Sequence, residues 1–309
     1  MNNGTDNGTD SQHAPASQLS PGRPGAGQPS GTALLAAAAR AAHLLVDGEP
    51  RIFTDPLAAA LLGDRAEELI AYHTLHGTHP VLAGARAQVT CRSRYTEHAL
   101  ARAVAAGVRQ YVILGAGLDS FAYRDAGESA LRVFEVDHPA SQEHKRAALT
   151  AAGIAVPGSV TFVPADLAAD PLARRLAAAG FDAGAPAVIS WLGVTMYLAL
   201  EAIAETMTAI AGLAPGSELI ADYMLPEESR DEAGTLYGSL VAQASADRGE
   251  PWLSFLTPRD MADLAARTGF SDIRAVRQRD MIPARLWQRT DALEPAELAV
   301  LFHGMVPRR

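Results

Sequence analysis

Two glycines separated by one residue, Gly115 and Gly117, follow the apolar run YVIL. Such a pair lets the chain turn tightly and lets a ligand approach the backbone, because no Cβ stands in the way. The complete dinucleotide fingerprint has a third glycine three residues later, where this chain has Ser120. The pattern therefore indicates a nucleotide-like ligand but weakens the interpretation as an NAD site, and an ordinary strand-to-helix turn remains an alternative.

Acidic residues follow the next two apolar runs. Asp137 ends the run FEVD twenty residues after Gly117, where an acid can accept hydrogen bonds from ribose hydroxyls. Glu135 points to the same face of a strand, so either acid can contact the ligand while the other orients it. Asp166 and Leu167 follow the run FVPA and can bind an adenine. Each acid alone is also typical of a strand end or a helix cap, but together they indicate an adenosine.

These residues need a framework that brings the ends of separate strands together. Strand and helix patterns alternate from residue 109 onwards. The strand patterns are 109–115, 131–137, 159–166, 186–193 and 217–225, and the helical patterns are 140–153, 171–180 and 200–216. This alternation predicts an α/β, doubly wound parallel sheet whose ligands bind beyond the carboxyl ends of the strands. A further helix and two late strands predict an antiparallel edge.

Helical patterns also precede the sheet. Residues 32–46, with Thr32 as the N-cap, residues 54–63 and residues 89–107 have the composition or the punctuation of helices. The stretch 71–84 has no clean period, and we interpret it as a lid segment. It contains histidines at every third position, namely His73, His76 and His79. Because glycine and proline interrupt the helix that a metal site would need there, we expect no metal site.

Composition limits the classes of function. The 309 residues carry a formal net charge of −9, which argues against binding to nucleic acid or to an anionic membrane. The single cysteine, Cys91, excludes an internal disulfide and a multi-thiolate metal site, and it indicates a cytoplasmic protein. Residues 1–31 are mostly Gly, Pro and polar residues, so we expect a disordered tail and not a signal peptide. No run approaches the length needed to cross a bilayer.

Four stretches of the chain, VILGAGLDSFAYR, FEVDHP, ADL and SWLGVTMYL, resemble one known family. They are similar to the leucine carboxyl methyltransferase-like class of S-adenosylmethionine-dependent methyltransferases, in its bacterial O-methyltransferase branch. The resemblance covers roughly residues 32–306. It implies a class I methyltransferase, with a Rossmann-like seven-stranded sheet, in a single domain at 32–309. Residues 32–107 would form a helical cover, and residues 108–309 would form the sheet domain.

The resemblance also implies which residues bind the cofactor, S-adenosyl-L-methionine. By position they are Gly115 and Gly117 for its methionine part, Asp137 for the ribose, Asp166 with Leu167 for the adenine, and Arg92 for the carboxylate. Arg94 matches a second family arginine. Family members often have a glutamate at the end of the fourth strand, where this chain has Leu192. Any polar contact of that glutamate is therefore missing here or supplied elsewhere.

Methyl transfer mainly requires alignment of the acceptor, the methyl group and the sulfur in a dry site. A carboxylate acceptor is already an anion and needs no general base, whereas an alcohol would be helped by one. Because no residue is an obvious base, we expect O-methylation of a carboxylate or an acidic hydroxyl of a small molecule. Candidates for contact with the acceptor are Met196, Tyr197 and Tyr123, with core packing as the alternative role. Arg40 and the aromatic stretch 250–258 are further candidates.

Two other functions remain open at this point. An NAD(P)-dependent oxidoreductase also needs a glycine turn and a ribose-binding acid, but Ser120 and the lack of an evident hydride-transfer site disfavour it. A non-catalytic relative that binds the cofactor without the reaction is the other alternative, and Leu192 makes it plausible.

Overall fold

Seven strands form one mixed sheet in the computed structural model, which describes residues 30–124 and 130–308. In chain order they are β1 Gln110–Leu114, β2 Arg132–Asp137, β3 Val160–Pro164, β4 Ala187–Trp191, β5 Glu218–Met224, β6 Ser271–Arg277 and β7 Ala299–Met305. The spatial order is β3-β2-β1-β4-β5-β7-β6, with β7 antiparallel to both of its neighbours. The remaining pairs are parallel. The predicted doubly wound α/β sheet with an antiparallel edge is confirmed.

Ten α-helices and five short 3₁₀ helices accompany these strands within the described residues. The α-helices are α1 Gly31–Val46, α2 Ala58–Leu61, α3 Ala66–Leu75, α4 Pro80–Ala105, α5 Phe121–Arg124, α6 Pro139–Ala151, α7 Leu172–Ala178, α8 Leu200–Ala211, α9 Glu232–Ala246 and α10 Pro258–Thr268. None of them is long and apolar enough to cross a membrane. The predicted tail, 1–31, lies outside the described residues up to position 29.

The sheet is buried on both faces, because strand side chains alternate between two apolar clusters. On β1, Tyr111 and Ile113 enter the cluster that contains residues of α1 and α4. Val112 and Leu114 enter the cluster formed with α7, α8 and α10. Strand β6 alternates between half-buried and exposed residues, as expected for an edge strand.

Four details of the helices differ from the sequence-based predictions. Helix α1 is capped by Ser30, whose hydroxyl accepts a hydrogen bond from the amide of Ala33, so Thr32 is not the N-cap. The stretch 71–84 is not irregular, because α3 and α4 occupy most of it, with a break between them at 76–79. The 54–63 helix is reduced to α2. Helix α9 was not predicted, since its many small residues give a weak helical pattern.

A buried charged cluster holds the first helices together. Arg86 of α4 is fully buried and donates hydrogen bonds to both carboxylate oxygens of Asp47, at 2.8 and 2.9 Å. The same guanidinium donates to the carbonyl of Gly77 at 2.6 Å and lies 3.3 Å from Nδ1 of His73. Burial, together with the charge of Arg86, lowers the pKa of His73 to about 4. This histidine is therefore neutral near pH 7 and belongs to the packing of the cover.

Candidate active site

The glycine turn after β1 has the backbone conformation that its sequence predicts. Gly115 and Gly117 have φ angles of 66° and 44°, in the left-handed region that side chains rarely adopt. A Cβ on Gly115 would lie 2.3 Å from Cγ2 of Val194, the residue that packs over the turn from the loop after β4. A side chain at position 115 would therefore displace that loop.

Asp137 at the end of β2 lies directly against this turn. Its carboxylate accepts hydrogen bonds from the amide of Gly117 at 2.6 Å and from the amide of His138 at 2.7 Å. No basic side chain of the described residues forms an ion pair with Asp137, and burial raises the pKa of its carboxyl. Each carboxylate oxygen has a second lone pair, so the group can still accept from two hydroxyls of a ribose.

Glu135 has a different role from Asp137. It is fully buried, and its carboxylate lies 2.7 Å from Nζ of Lys145 on α6. The same ammonium lies 5.1 Å from the ring centre of Tyr123, which is itself buried. Glu135 is therefore turned into the protein interior, and Tyr123 packs against its ion pair.

Asp166 and Leu167 form the turn after β3, beside the end of β2. The amide of Ala165 donates to the carbonyl of Asp137 at 2.8 Å, which joins the two strand ends. The carboxylate of Asp166 accepts from the amide of Ala168 at 3.0 Å, and Leu167 packs on the core. The two predicted nucleoside-binding acids, Asp137 and Asp166, thus lie at the same edge of the sheet.

A buried ion pair follows on the other side of β1. Arg92 of α4 donates a hydrogen bond to Asp222 of β5 at 2.7 Å, and the amide of Gly193 donates to the other carboxylate oxygen at 2.6 Å. Asp222 is 1% exposed. The side chain of Leu192 packs into the core, so Asp222 on the next strand supplies a carboxylate beside the position where the family glutamate is absent. Sequence reasoning missed Asp222, although an acid within the apolar run LIADYM was a usable signal.

A cavity of about 90 Å³ opens next to this ion pair. One face of α4 forms a wall, with Pro80, Gly84, Gln88 and Arg92 spaced four residues apart. The facing wall comes from α9, β5, β7 and the chain between β6 and β7, through Ala233, Tyr237, Asp222, Leu298, Ala299, Gln278, Met281, Ala292, Glu294 and Ala296. The cavity therefore lies between α4 of the helical cover and the carboxyl end of β5.

The predicted acceptor candidates occupy other positions. Met196 is buried in a small cluster with Leu298 and Ala299, and Tyr197 packs on the same cluster. These two residues lie behind the cavity wall and do not line it. In the stretch 250–258, the amide of Leu253 donates to the carbonyl of Met196, so this segment also lies outside the cavity lining.

Two arginine side chains of the cover donate hydrogen bonds to backbone carbonyls of nearby segments. Arg40 donates to the carbonyl of Leu118 at 2.6 Å and to Asp55 at 2.8 Å. This position ties α1 to the glycine turn, so the guanidinium is engaged by the protein itself. Arg94 donates to the carbonyl of Ile52 at 2.7 Å.

Within the described ranges, no group of three or more His, Cys, Asp or Glu side chains is arranged to hold a metal ion.

The arrangement of these residues defines a class. The fold has the features of a class I methyltransferase. These are a doubly wound sheet with a reversed last strand, a glycine turn after the first strand, and acids at the ends of successive strands. The fold comparison agrees. The crystal structure of a DUF574 family protein from Streptomyces avermitilis matches with a TM-score of 0.55 at 19% identity, over 87% of this chain and 97% of that one. A structure described as a "putative methyltransferase from Thermobifida fusca" matches with a TM-score of 0.52 at 19% identity, over 87% and 98% of the two chains. These matches show the fold alone.

Sequence comparison gives the family. The model of the leucine carboxyl methyltransferase family matches residues 33–211, more than half of the chain. A Bacillus subtilis protein named "Putative S-adenosyl-L-methionine-dependent methyltransferase YktD" is 29% identical over 89% of this chain and 97% of its own length. A Mycolicibacterium paratuberculosis protein of the same general name is 38% identical, over 61% of this chain and 62% of its own length.

The chain therefore belongs to the leucine carboxyl methyltransferase family. This confirms the predicted family and the methyltransferase class, with S-adenosylmethionine as the methyl donor. It also favours that class over the NAD(P)-dependent oxidoreductase.

Proposed function

We propose that this protein methylates an oxygen of a small molecule, either a carboxylate or an acidic hydroxyl, with S-adenosylmethionine as the donor. The observation that carries this proposal is the cavity beside Arg92 and Asp222. A series of contacts links it to the glycine turn: Gly193 donates to Asp222, and the next residue, Val194, packs over Gly115. A donor on the turn and an acceptor in the cavity would be neighbours.

The described residues fit the donor. Asp137, which forms no ion pair with the described residues, would accept from the ribose hydroxyls, and Asp166 with Leu167 would contact the adenine. The backbone of Gly115 and Gly117 would lie against the methionine part. Arg92 would bind its carboxylate, and we assign Asp222 to its ammonium, because these two groups already form a pair of opposite charges beside the turn.

The bound donor supplies an electrophilic methyl group, and transfer forms an O–C bond while the C–S bond breaks with its electron pair remaining on sulfur. Among the described residues, the cavity lining holds no histidine or lysine. Both oxygens of Asp222 accept hydrogen bonds within the protein, and Glu294 is exposed. Since no lining group is placed to remove a proton, an acceptor that is already deprotonated suits the site best.

Binding and transfer should be measured separately. We expect the protein to be stabilised against heat by S-adenosylmethionine and by S-adenosylhomocysteine but not by NADPH, because only a ligand of the native state raises its stability. We also expect transfer of label from methyl-labelled donor to acids or acidic phenols. Methylation of neutral alcohols alone, with a rate that titrates near pH 7, would contradict the proposed acceptor.

Two properties complete the proposal. We assign the protein to the cytoplasm, because its one cysteine, Cys91, is a buried free thiol whose pKa is raised by burial. We expect a small-molecule partner and neither nucleic acid nor a membrane surface, since the net charge is −9. Fractionation of cells and a nucleic-acid binding assay at low salt would test these two assignments.

A further inference from the structure

We infer that the first turn of α1, residues 30–34, closes over the donor site and that Glu250 holds it closed. S-adenosylmethionine and S-adenosylhomocysteine would then exchange only while this turn is open. The inference rests on the proposed function, because it takes the glycine turn as the donor site. It goes further in assigning a closing element to that site and a single residue that sets how fast the element opens.

The first turn of α1 lies directly on the glycine turn. A Cβ on Gly117 would lie 3.1 Å from the Cβ of Ala33. The other glycine, Gly115, is covered by Val194 of the loop after β4, whose Cγ2 would lie 2.3 Å from a Cβ there. A donor held against the backbone of both glycines would therefore be enclosed by α1 and by this loop. One of the two coverings must move for the donor to enter and for the product to leave.

The loop after β4 is firmly attached to the sheet. The amide of Gly193 donates to the carboxylate of Asp222 at 2.6 Å, and the hydroxyl of Thr195 donates to the carbonyl of Asp222 at 2.5 Å. Thr195 is also buried. Because Val194 stands between these two attached residues, its side chain cannot leave Gly115 without breaking both bonds. The covering that can move more easily is therefore α1.

Helix α1 is anchored beyond its first turn but not within it. Arg40 donates to the carbonyl of Leu118 at 2.6 Å and to Asp55 at 2.8 Å, and residues 37–39 are buried. Residues 30–33 are half-buried. Helix ends open more readily than helix interiors, because their first amides have no partner within the helix. The first turn can therefore open while the rest of α1 stays packed on the protein.

Glu250, in the chain after α9, holds the first turn in place. Its Oε2 atom accepts a hydrogen bond from the amide of Thr32 at 3.3 Å. Within residues 30–124 and 130–308, this is the one hydrogen bond that joins the first turn to another element. The negative charge also lies at the positive end of the helix dipole, which favours the closed position.

The residue that holds the turn is itself fixed. The amide of Glu250 donates to the carbonyl of Ser245 in α9 at 3.0 Å, and the hydroxyl of Ser245 donates to the carbonyl of Glu250 at 2.7 Å. The moving part is therefore the helix end and not the acid. One hydrogen bond between them is strong enough to favour closure and weak enough to break in every catalytic cycle.

Stopped-flow mixing with S-adenosylhomocysteine tests the inference, followed by the fluorescence of Trp252, which lies two residues from Glu250. Glu250→Ala removes the acceptor, and Ser30→Ala removes the N-cap of α1. Each should raise both the association and the dissociation rate constant about threefold to tenfold, because less energy is needed to open the turn. The Kd should stay within about twofold of wild type, since the same hydrogen bond closes the free and the bound protein.

Matched controls and a second variant make the test specific. Glu205→Ala removes an exposed acid of α8, and Thr257→Ala removes the N-cap of α10, so both should leave the two rate constants unchanged. Glu250→Gln keeps an oxygen that can accept from Thr32, and its rate constants should lie between those of wild type and of Glu250→Ala. Hydrogen exchange should be faster at residues 30–36 than at 37–46, and S-adenosylhomocysteine should slow it at 30–36.

The outcomes separate the inference from the proposed function. If Glu250→Ala and Ser30→Ala both keep the wild-type rate constants, or if Glu250→Ala speeds dissociation alone and weakens affinity, the inference is wrong while the donor site stands. A donor that leaves exchange at residues 30–36 unchanged would also refute it. Failure of the wild-type protein to bind S-adenosylhomocysteine at all would instead overturn the proposed function.

Discussion

Replacement of Asp137 by alanine tests the proposed binding of the nucleoside most directly. In the structure this carboxylate accepts from the amides of Gly117 and His138 and pairs with no described cation. Two ribose hydroxyls would each donate to it. Hydrogen bonds to a charged group contribute about 1.5–3 kcal/mol each. Loss of both corresponds to about 3–6 kcal/mol, which is a roughly 10²–10⁴-fold weaker affinity for S-adenosylhomocysteine. Asp137→Asn keeps one acceptor oxygen without the charge, so we expect a loss of roughly 10–100-fold.

The assay must separate binding from folding, because Asp137→Ala also removes the partner of two backbone amides. Calorimetric titration with S-adenosylhomocysteine should therefore follow circular dichroism and thermal unfolding of each variant. Asp260→Ala is a matched control: its carboxylate accepts from the amide of Thr257 at the start of α10, far along the chain from the glycine turn. It should cost about 1 kcal/mol of stability and no affinity. An Asp137→Ala protein that is folded and binds within twofold of wild type would refute the assignment.

Three further predictions concern the cover and the turn. Arg86→Met should lower the free energy of unfolding by about 3–5 kcal/mol in urea titrations, because Asp47 is left buried without its cation. The pKa of His73 is about 4 in the folded protein, whereas that of an unfolded histidine is near 6.5, so acid favours the unfolded state. The free energy of unfolding should therefore fall by up to about 3 kcal/mol as the pH drops from 6.5 towards 4. This fall should be smaller in His73→Asn. Gly115→Ala should lose binding of S-adenosylhomocysteine in calorimetry, because the methyl group would meet Val194 at a φ of 66°.

Each of these three has its own control. Arg65→Met removes an exposed arginine paired with Glu68 and should leave the free energy of unfolding nearly unchanged, because solvent screens this pair. His76→Asn replaces an exposed histidine and should leave the acid dependence unchanged. Gly63→Ala introduces a methyl group at a positive φ of 55° where no atom lies within 4 Å, so it tests backbone strain without the contact. If a control variant changed stability, acid dependence or binding as much as its test variant does, the contact named for that test variant would not be the cause of the effect.

The order of the sheet was predictable because buried parallel strands have strong apolar patterns and must be joined by helices. The contact between the glycine turn and Asp137 was predictable for a related reason: it depends on local backbone geometry, and two neighbouring strands bring the two together. The cover was predicted less well. In the stretch 71–84, the histidines obscured a helix break whose structure depends on Arg86, a residue that contacts it only in the folded protein.

The lining of the cavity was the least predictable part. Met196 and Tyr197 follow β4 directly, so their position along the chain suggested contact with the acceptor, yet they pack behind the wall. The polar residues that do line the cavity come from α4, β5 and α9, and nothing in their local sequence relates them. Gln88, Asp222 and Tyr237 become neighbours only when the cover packs on the sheet.

A short series of contacts joins the glycine turn to the cavity. Gly115 packs against Val194, the preceding Gly193 donates to Asp222, and Asp222 pairs with Arg92 from the cover. Each contact is close, and a Cβ on Gly193 would lie 2.7 Å from the guanidinium of Arg92, so none of these groups can shift without moving the next. A molecule that binds the turn and one that fills the cavity therefore act on the same ion pair. Binding of the donor and of the acceptor should be thermodynamically coupled, and by linkage the coupling must be equal in both directions.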